Sequence, residues 1–273
     1  MRRRFGRPPR RWQTAPHDAI DVTLAGPNGR TLRGWLFPAE EIRSPAVVVM
    51  HGWGASAADM TPVARMLAAE GFSTLAVDAR CHGRSDDDDF ASMPRFGEDV
   101  EAAVAWLRDQ AYVDPRRIAL LGHSVGAGAC LLAASRDPGI AGVVSVSSMA
   151  HPGRFMQAAL AGRGLPSLLA RVALRYVEAV VGHRYDDFAP VRSIASTRAP
   201  VLLVHGDADT TVPLSDAHLL RAASGTAAGL VVVPDAGHDD LDALRSVTPE
   251  VLGFLRAVTS VPLAGRPPLP PRV

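Results

Sequence analysis

From Ala46 onward the chain alternates short, continuously apolar runs with longer segments of helical spacing. The runs are Ala46–Met50, Thr74–Val77, Ile118–Leu121, Ile140–Val146, Val201–Val204 and Leu230–Val233. Each reads as a strand buried on both faces. Between them, helical patterns fall near 57–70, 96–110, 125–136, 215–223 and 248–258. Strand alternating with helix predicts a mostly parallel sheet with helices on both faces. Ahead of it, Val22 and Leu24 alternate before the turn-forming cluster Gly26-Pro27-Asn28-Gly29, and Leu32, Gly34 and Leu36 alternate after it. That pattern predicts an antiparallel strand pair leading into the sheet.

Residues 149–189 break the alternation, because they separate two strands by far more than a crossover needs. They predict an insertion. Between Gly164 and Gly182, apolar residues recur at Leu165, Leu168, Leu169, Val172, Tyr176, Val177, Val180 and Val181. This is the i, i+3, i+4, i+7 spacing of a helix face, with Arg171, Arg175 and Glu178 elsewhere on the wheel. Pro166 fits the first turn of such a helix and Gly182 its end.

Composition adds one asymmetry. All 29 basic residues are arginine, and six of them lie within residues 1–12, where there is no acid. The remainder holds 23 arginines against 28 acids and is mildly acidic. Residues 1–17 and 261–273 are rich in Arg and Pro or in Pro, and are expected to be extended or disordered tails around one domain spanning 18–260. A basic arm suits nucleic acid or an anionic surface. With only Phe5 and Trp12 beside its arginines, this one reads as a solubilising tail, and no nucleic-acid partner is expected. It has no apolar stretch behind it, as a signal peptide would, and no run reaches the ~18 apolar residues of a membrane span. Two cysteines, Cys81 and Cys130, cannot build a disulfide framework and read as free thiols, so a cytoplasmic protein is expected. The pattern sets no oligomeric state.

The chemistry centres on Gly122-His123-Ser124-Val125-Gly126, between the strand ending at Leu121 and a helix of small residues. A turn this tight leaves no room for side chains on its flanks. It projects Ser124 from the carboxyl edge of the sheet, with a helix N-terminus behind it. A glycine-rich turn with an idle serine is the plain alternative. Further segments follow in order: His51-Gly52-Trp53-Gly54, Asp78-Ala79-Arg80-Cys81-His82-Gly83-Arg84-Ser85, His205-Gly206-Asp207-Ala208-Asp209-Thr210-Thr211-Val212-Pro213 and Asp235-Ala236-Gly237-His238. Over roughly residues 45–258 the chain resembles the α/β-hydrolase superfamily, and within it the serine-aminopeptidase-like and monoacylglycerol-lipase-like branch.

That resemblance implies Ser124 as nucleophile, His238 as base and Asp209 as the acid orienting it, with Asp207 as the rival acid. The chain order Ser, Asp, His is that of this fold. The resemblance also implies an oxyanion hole from the backbone N–H groups of Trp53 and Val125. The Trp53 indole then either walls the substrate pocket or serves as a core anchor. The loop after Asp78 departs from the family's D-x-R-G-x-G-x-S in having Cys81 where Gly is usual, and reads as structural. Asp86–Asp89 reads as a solvated loop rather than a calcium site. An insertion at 149–189 would lie over Ser124 as a helical cap, its apolar residues Leu169 and Val172 roofing an acyl pocket with Met149, Phe155 and Met156. The stripe packing on the body or in a dimer contact is the alternative.

No metal-ligand spacing and no nucleotide-binding pattern is present, so neither a metal nor a cofactor is expected. The activity implied is ester hydrolysis of a small acyl substrate. Amides and thioesters remain open on the same machinery, as does a binding protein that kept the fold.

Overall fold

In the computed structural model of the 273-residue chain, residues 14–225 and 228–260 are described. The expected tails at 1–17 and 261–273 lie outside them, apart from residues 14–17. Eight strands form one sheet: β1 Ile20–Ala25, β2 Thr31–Phe37, β3 Ser44–Met50, β4 Ser73–Asp78, β5 Val113–His123, β6 Val143–Val146, β7 Val201–Gly206 and β8 Gly229–Val233, in the order β1-β2-β4-β3-β5-β6-β7-β8. β1 and β2 pair antiparallel, β2 joins β4 antiparallel, and every later pairing is parallel.

The central strands read as unbroken apolar runs because their alternate residues feed two cores. Val48, Met50, Ile118 and Leu120 point to one side of the sheet, where α2 (Met93–Arg108) and α3 (Val125–Arg136) supply Phe96, Val100, Ala129 and Leu132. Val47, Val49, Ala119 and Leu121 point to the other, against α1 (Thr61–Ala69) and α8 (Thr248–Ser260). Helix starts differ from the sequence reading where caps decide them. α2 begins early, at Met93, because the Ser92 side chain accepts the Arg95 N–H. The first helix begins late, at Thr61, with Pro62 in its first turn. The run Ile140–Val146 is strand only from Val143.

The insertion holds two helices, α4 (Pro152–Gly162) and α5 (Ser167–Val181), followed by a 3₁₀ turn at Tyr185–Phe188 and α6 (Pro190–Ser196). α7 (Leu214–Ala223) then follows β7. α5 ends as expected on Gly182, at φ 78°, while Pro166 stands just outside the helix as its N-cap. α4 has no counterpart in the sequence reading. His151 sets its start: Nδ1 accepts the Gly153 and Arg154 N–H groups, and Nε2–H donates to Asp186.

The apolar stripe of α5 does not form one packed face. Ala170 and Leu174 are buried, with Val177 and Val181 half-buried on the same side. Leu168, Leu169, Val172, Tyr176 and Val180 are exposed instead. At about 100° per residue, these two sets fall on opposite sides of the wheel.

Candidate active site

Ser124 lies between β5 and α3 at φ 53°, ψ −118°, a conformation side chains rarely adopt. The flanking glycines make the turn possible. A Cβ on Gly122 would sit 2.4 Å from the Gly126 carbonyl oxygen, and one on Gly126 would sit 2.4 Å from that of His51. The Ser124 N–H donates to the carbonyl of Val146 on neighbouring β6 at 2.9 Å, which fixes the turn against the sheet.

His238 follows β8 and brings Nε2 to 3.0 Å from Ser124 Oγ, across 114 residues of sequence. Its Nδ1–H donates to Asp209 Oδ2 at 2.7 Å. The other oxygen of Asp209 accepts the Thr211 and Val212 N–H groups at 2.9 and 2.8 Å. Those bonds orient a carboxylate whose side chain is fully buried. Asp207 does something else: its Oδ1 accepts the Asp235 N–H at 2.7 Å and braces the turn before His238.

The remaining motif histidines are held by burial and by backbone partners. His51 accepts the Ala79 N–H at Nε2 and donates from Nδ1 to the Gly52 carbonyl, and burial pushes its pKa down to about 4. Burial likewise lowers His82 to about 4 and His123 below its ordinary value. His205 donates to the Val212 carbonyl and closes the Asp209 loop.

His123 has a part that local spacing did not reveal. Its Nε2–H donates to the His238 carbonyl at 2.8 Å, and its ring lies 5.1 Å from that of His238. A Cβ on Gly52 would come within 3.0 Å of His123 Nδ1 and 3.3 Å of Ser124 Cβ. One buried ring thus touches the turn after β3, the Ser124 elbow and the His238 loop. His123, His238 and Asp239 also bring potential ligand atoms within 4.8 Å of one another, but both His238 nitrogens are engaged by Ser124 and Asp209.

Val125 is the first residue of α3, where a helix N–H has no intrahelical acceptor, and Trp53 lies in the turn after β3. The Trp53 indole stacks on Phe96 and meets His82 edge-on, and it is 46% exposed. It packs on that aromatic cluster and leaves part of its ring open to solvent. Met149 is buried, Phe155 is half-buried against the core, and Met156 is at the surface. Leu169 and Val172 are 55% and 61% exposed, so they close no roof.

The loop after β4 is structural, as its motif suggested. The Asp78 carboxylate accepts the N–H groups of Ala57 and Arg84, and a Cβ on Gly83 would collide with it. Arg80, fully buried, reaches Asp99, Asp88 and Glu98. Asp88 also faces Arg95, and Asp86 accepts the Thr31 N–H, so these acids of the Asp86–Asp89 run serve the protein itself. Cys81 has φ 66°, which explains why glycine is usual there; its thiol accepts the Asp88 N–H.

A mostly parallel sheet of this order, with serine on the elbow after β5 and histidine beyond its last strand, defines an α/β-hydrolase enzyme. The chain belongs to the serine aminopeptidase S33 family, whose model matches residues 42–191. The model of a second family, TAP-like protein, matches residues 184–262. An uncharacterized protein of Mycobacterium tuberculosis is 34% identical over 85% of this chain and 81% of its own length. The polyketide transferase ATR5 of Stachybotrys chlorohalonatus is 35% identical over 46% of this chain and 43% of its own length. The esterase Pf2001 of Pyrococcus furiosus has the same fold, with a TM-score of 0.74 at 22% identity over 93% of this chain and 97% of that one.

Proposed function

We propose that the enzyme hydrolyses carboxylic esters through an acyl-enzyme on Ser124. The carrying observation is the continuous line from Ser124 Oγ through His238 to the buried Asp209 carboxylate, at 3.0 and 2.7 Å. A serine hydroxyl attacks a carbonyl efficiently only when a base takes its proton as the C–O bond forms. His238 Nε2 takes that proton, and Asp209 holds the imidazole in the tautomer that leaves Nε2 free and stabilises the imidazolium. The carbonyl electron pair moves onto oxygen, where the N–H groups of Trp53 and Val125 receive the charge. On collapse, the alcohol leaves with the proton from His238. Water then repeats the cycle and releases the acid. Trp53, Met149, Phe155 and Met156 supply apolar surface for a small acyl group.

A thioester reading has one specific support. The Stachybotrys relative is a polyketide transferase, and a thiohydrolase of Arthrinium phaeospermum is 35% identical over 47% of this chain. Both relatives match only about half of this chain, so ester hydrolysis is kept as the main reading. A fluorophosphonate probe should label the native protein and leave Ser124→Ala unlabelled; labelling of that variant would sink the mechanism. Comparing p-nitrophenyl esters of increasing length with acyl thioesters of the same chains then separates the two substrate classes by kcat/KM.

A further inference from the structure

The α4–α5 hairpin differs from the rest of the molecule in two ways. The first is apolar exposure. Met156, Leu168, Leu169, Val172, Tyr176 and Val180 are six of the eleven large hydrophobic residues exposed on the described surface, at 37% to 69%. With Ala170 and Leu174 packed behind them, α5 is apolar on both its inner and its outer side. A helix with apolar residues on two opposite sides leaves the outer one facing solvent unless something covers it.

The second is charge. The hairpin, residues 152–181, holds four arginines (154, 163, 171 and 175) against a single acid. That acid, Glu178, is already held by Arg175 and by the Tyr185 N–H. The rest of residues 14–260 holds seventeen arginines against 27 acids. A basic, outwardly apolar hairpin therefore stands on an acidic body. On the wheel, Arg171 and Arg175 border the exposed side formed by Leu168, Val172 and Tyr176.

We propose that this hairpin docks the enzyme on a bilayer containing anionic lipid. Leu168, Val172 and Tyr176 enter the boundary between headgroups and acyl chains, and the arginines meet the phosphates. No helix among the described residues is long and apolar enough to cross a membrane, so the contact is interfacial. A second copy suits the surface less well. Hairpin on hairpin would bring like charges together, and the body offers only scattered apolar residues such as Ile20, Ile42 and Leu219 to receive it. The proposal does not depend on the reaction at Ser124.

The full chain should float with vesicles of phosphatidylcholine mixed with phosphatidylglycerol, and bind far less to phosphatidylcholine alone. Replacing Arg163 and Arg171 by Gln should weaken binding to the anionic vesicles roughly five-fold per arginine. Leu168→Ser with Val172→Ser should weaken it by at least about a hundredfold, with the helical circular dichroism retained. Tyr176→Trp should show a blue-shifted indole emission on anionic vesicles. The proposal is overturned if the protein has no affinity for anionic vesicles. It is equally overturned if neither set of substitutions changes that affinity, which would put the contact on the N-terminal arginines. It also fails if light scattering shows a dimer that the double serine variant converts to monomer.

Discussion

Asp207 and Asp209 lie two residues apart, yet only Asp209 touches His238. Asp209→Asn should therefore lower kcat on the order of 10⁴-fold, because an amide favours the wrong imidazole tautomer. Asp207→Asn removes a brace on the Asp235 turn and should cost far less. Steady-state kinetics on one small ester decide between them, and a reversed ranking would move the acid to Asp207. His123→Asn tests the ring that joins the elbow to the His238 loop. We expect kcat to fall about tenfold or more with KM for a small ester little changed, since the lost bond orients the base rather than the substrate. A matching fall in melting temperature with kcat unchanged would reduce His123 to a packing role. The elbow and the acid loop were legible in sequence because each is a short contiguous motif that resembles the family's pattern, although Ser124 and Asp209 meet His238 across 114 and 29 residues. The His123 bond spans 115 residues and leaves no local mark.

Among the elements, the loop after β4 shows how a departure from a family pattern can keep a geometry. Cys81 holds the left-handed conformation that glycine takes without strain. Cys81→Ala should thus be more destabilising than Cys81→Gly, by about 1 kcal/mol, because both lose the thiol contact but only alanine keeps the strain. Urea denaturation of the two variants measures it, and the opposite order would mean that cavity size outweighs backbone strain here. The insertion was half legible. Pro166 and Gly182 marked the ends of α5, but apolar residues on both sides of the Arg171, Arg175 and Glu178 arc leave two directions for the helix to face. α4 escaped because Ala158, Ala159, Ala161 and Gly162 carry little periodicity, and its start depends on the His151 ring.

For the whole molecule, buried neutral histidines tie stability to pH. His51 and His82 titrate near 4 in the fold and at about 6.5 in the unfolded chain. Between those values the unfolded state binds more protons, so acidification favours it. As pH drops from about 6.5 to about 4 each ring should cost stability, by up to about 3 kcal/mol, while Asp99, raised by burial to about 7, takes up its proton in the fold and opposes that fall. Thermal unfolding across that range gives the net slope, and His82→Gln should shift it by removing one of the acid-side losses. An unchanged slope in that variant would assign the effect to other groups. The class of the sheet was legible because the central strands are apolar on both sides. The strand order was not, since a run of valines carries no record of its neighbours.

That order has a consequence in time. β8 pairs only with β7, at the margin of the sheet, and beyond it lies His238, whose Nε2 is 3.0 Å from Ser124 Oγ and which we propose as its base. The interior of the sheet, from β4 to β6, can form from residues that precede both Asp209 and His238. Pairing at long sequence separation is slow. A refolding or newly synthesised chain should thus bury its core tryptophan, Trp35, before it acquires reactivity, and probe labelling should lag behind fluorescence. The serine is present and placed early, but it stays chemically silent until the last strand arrives.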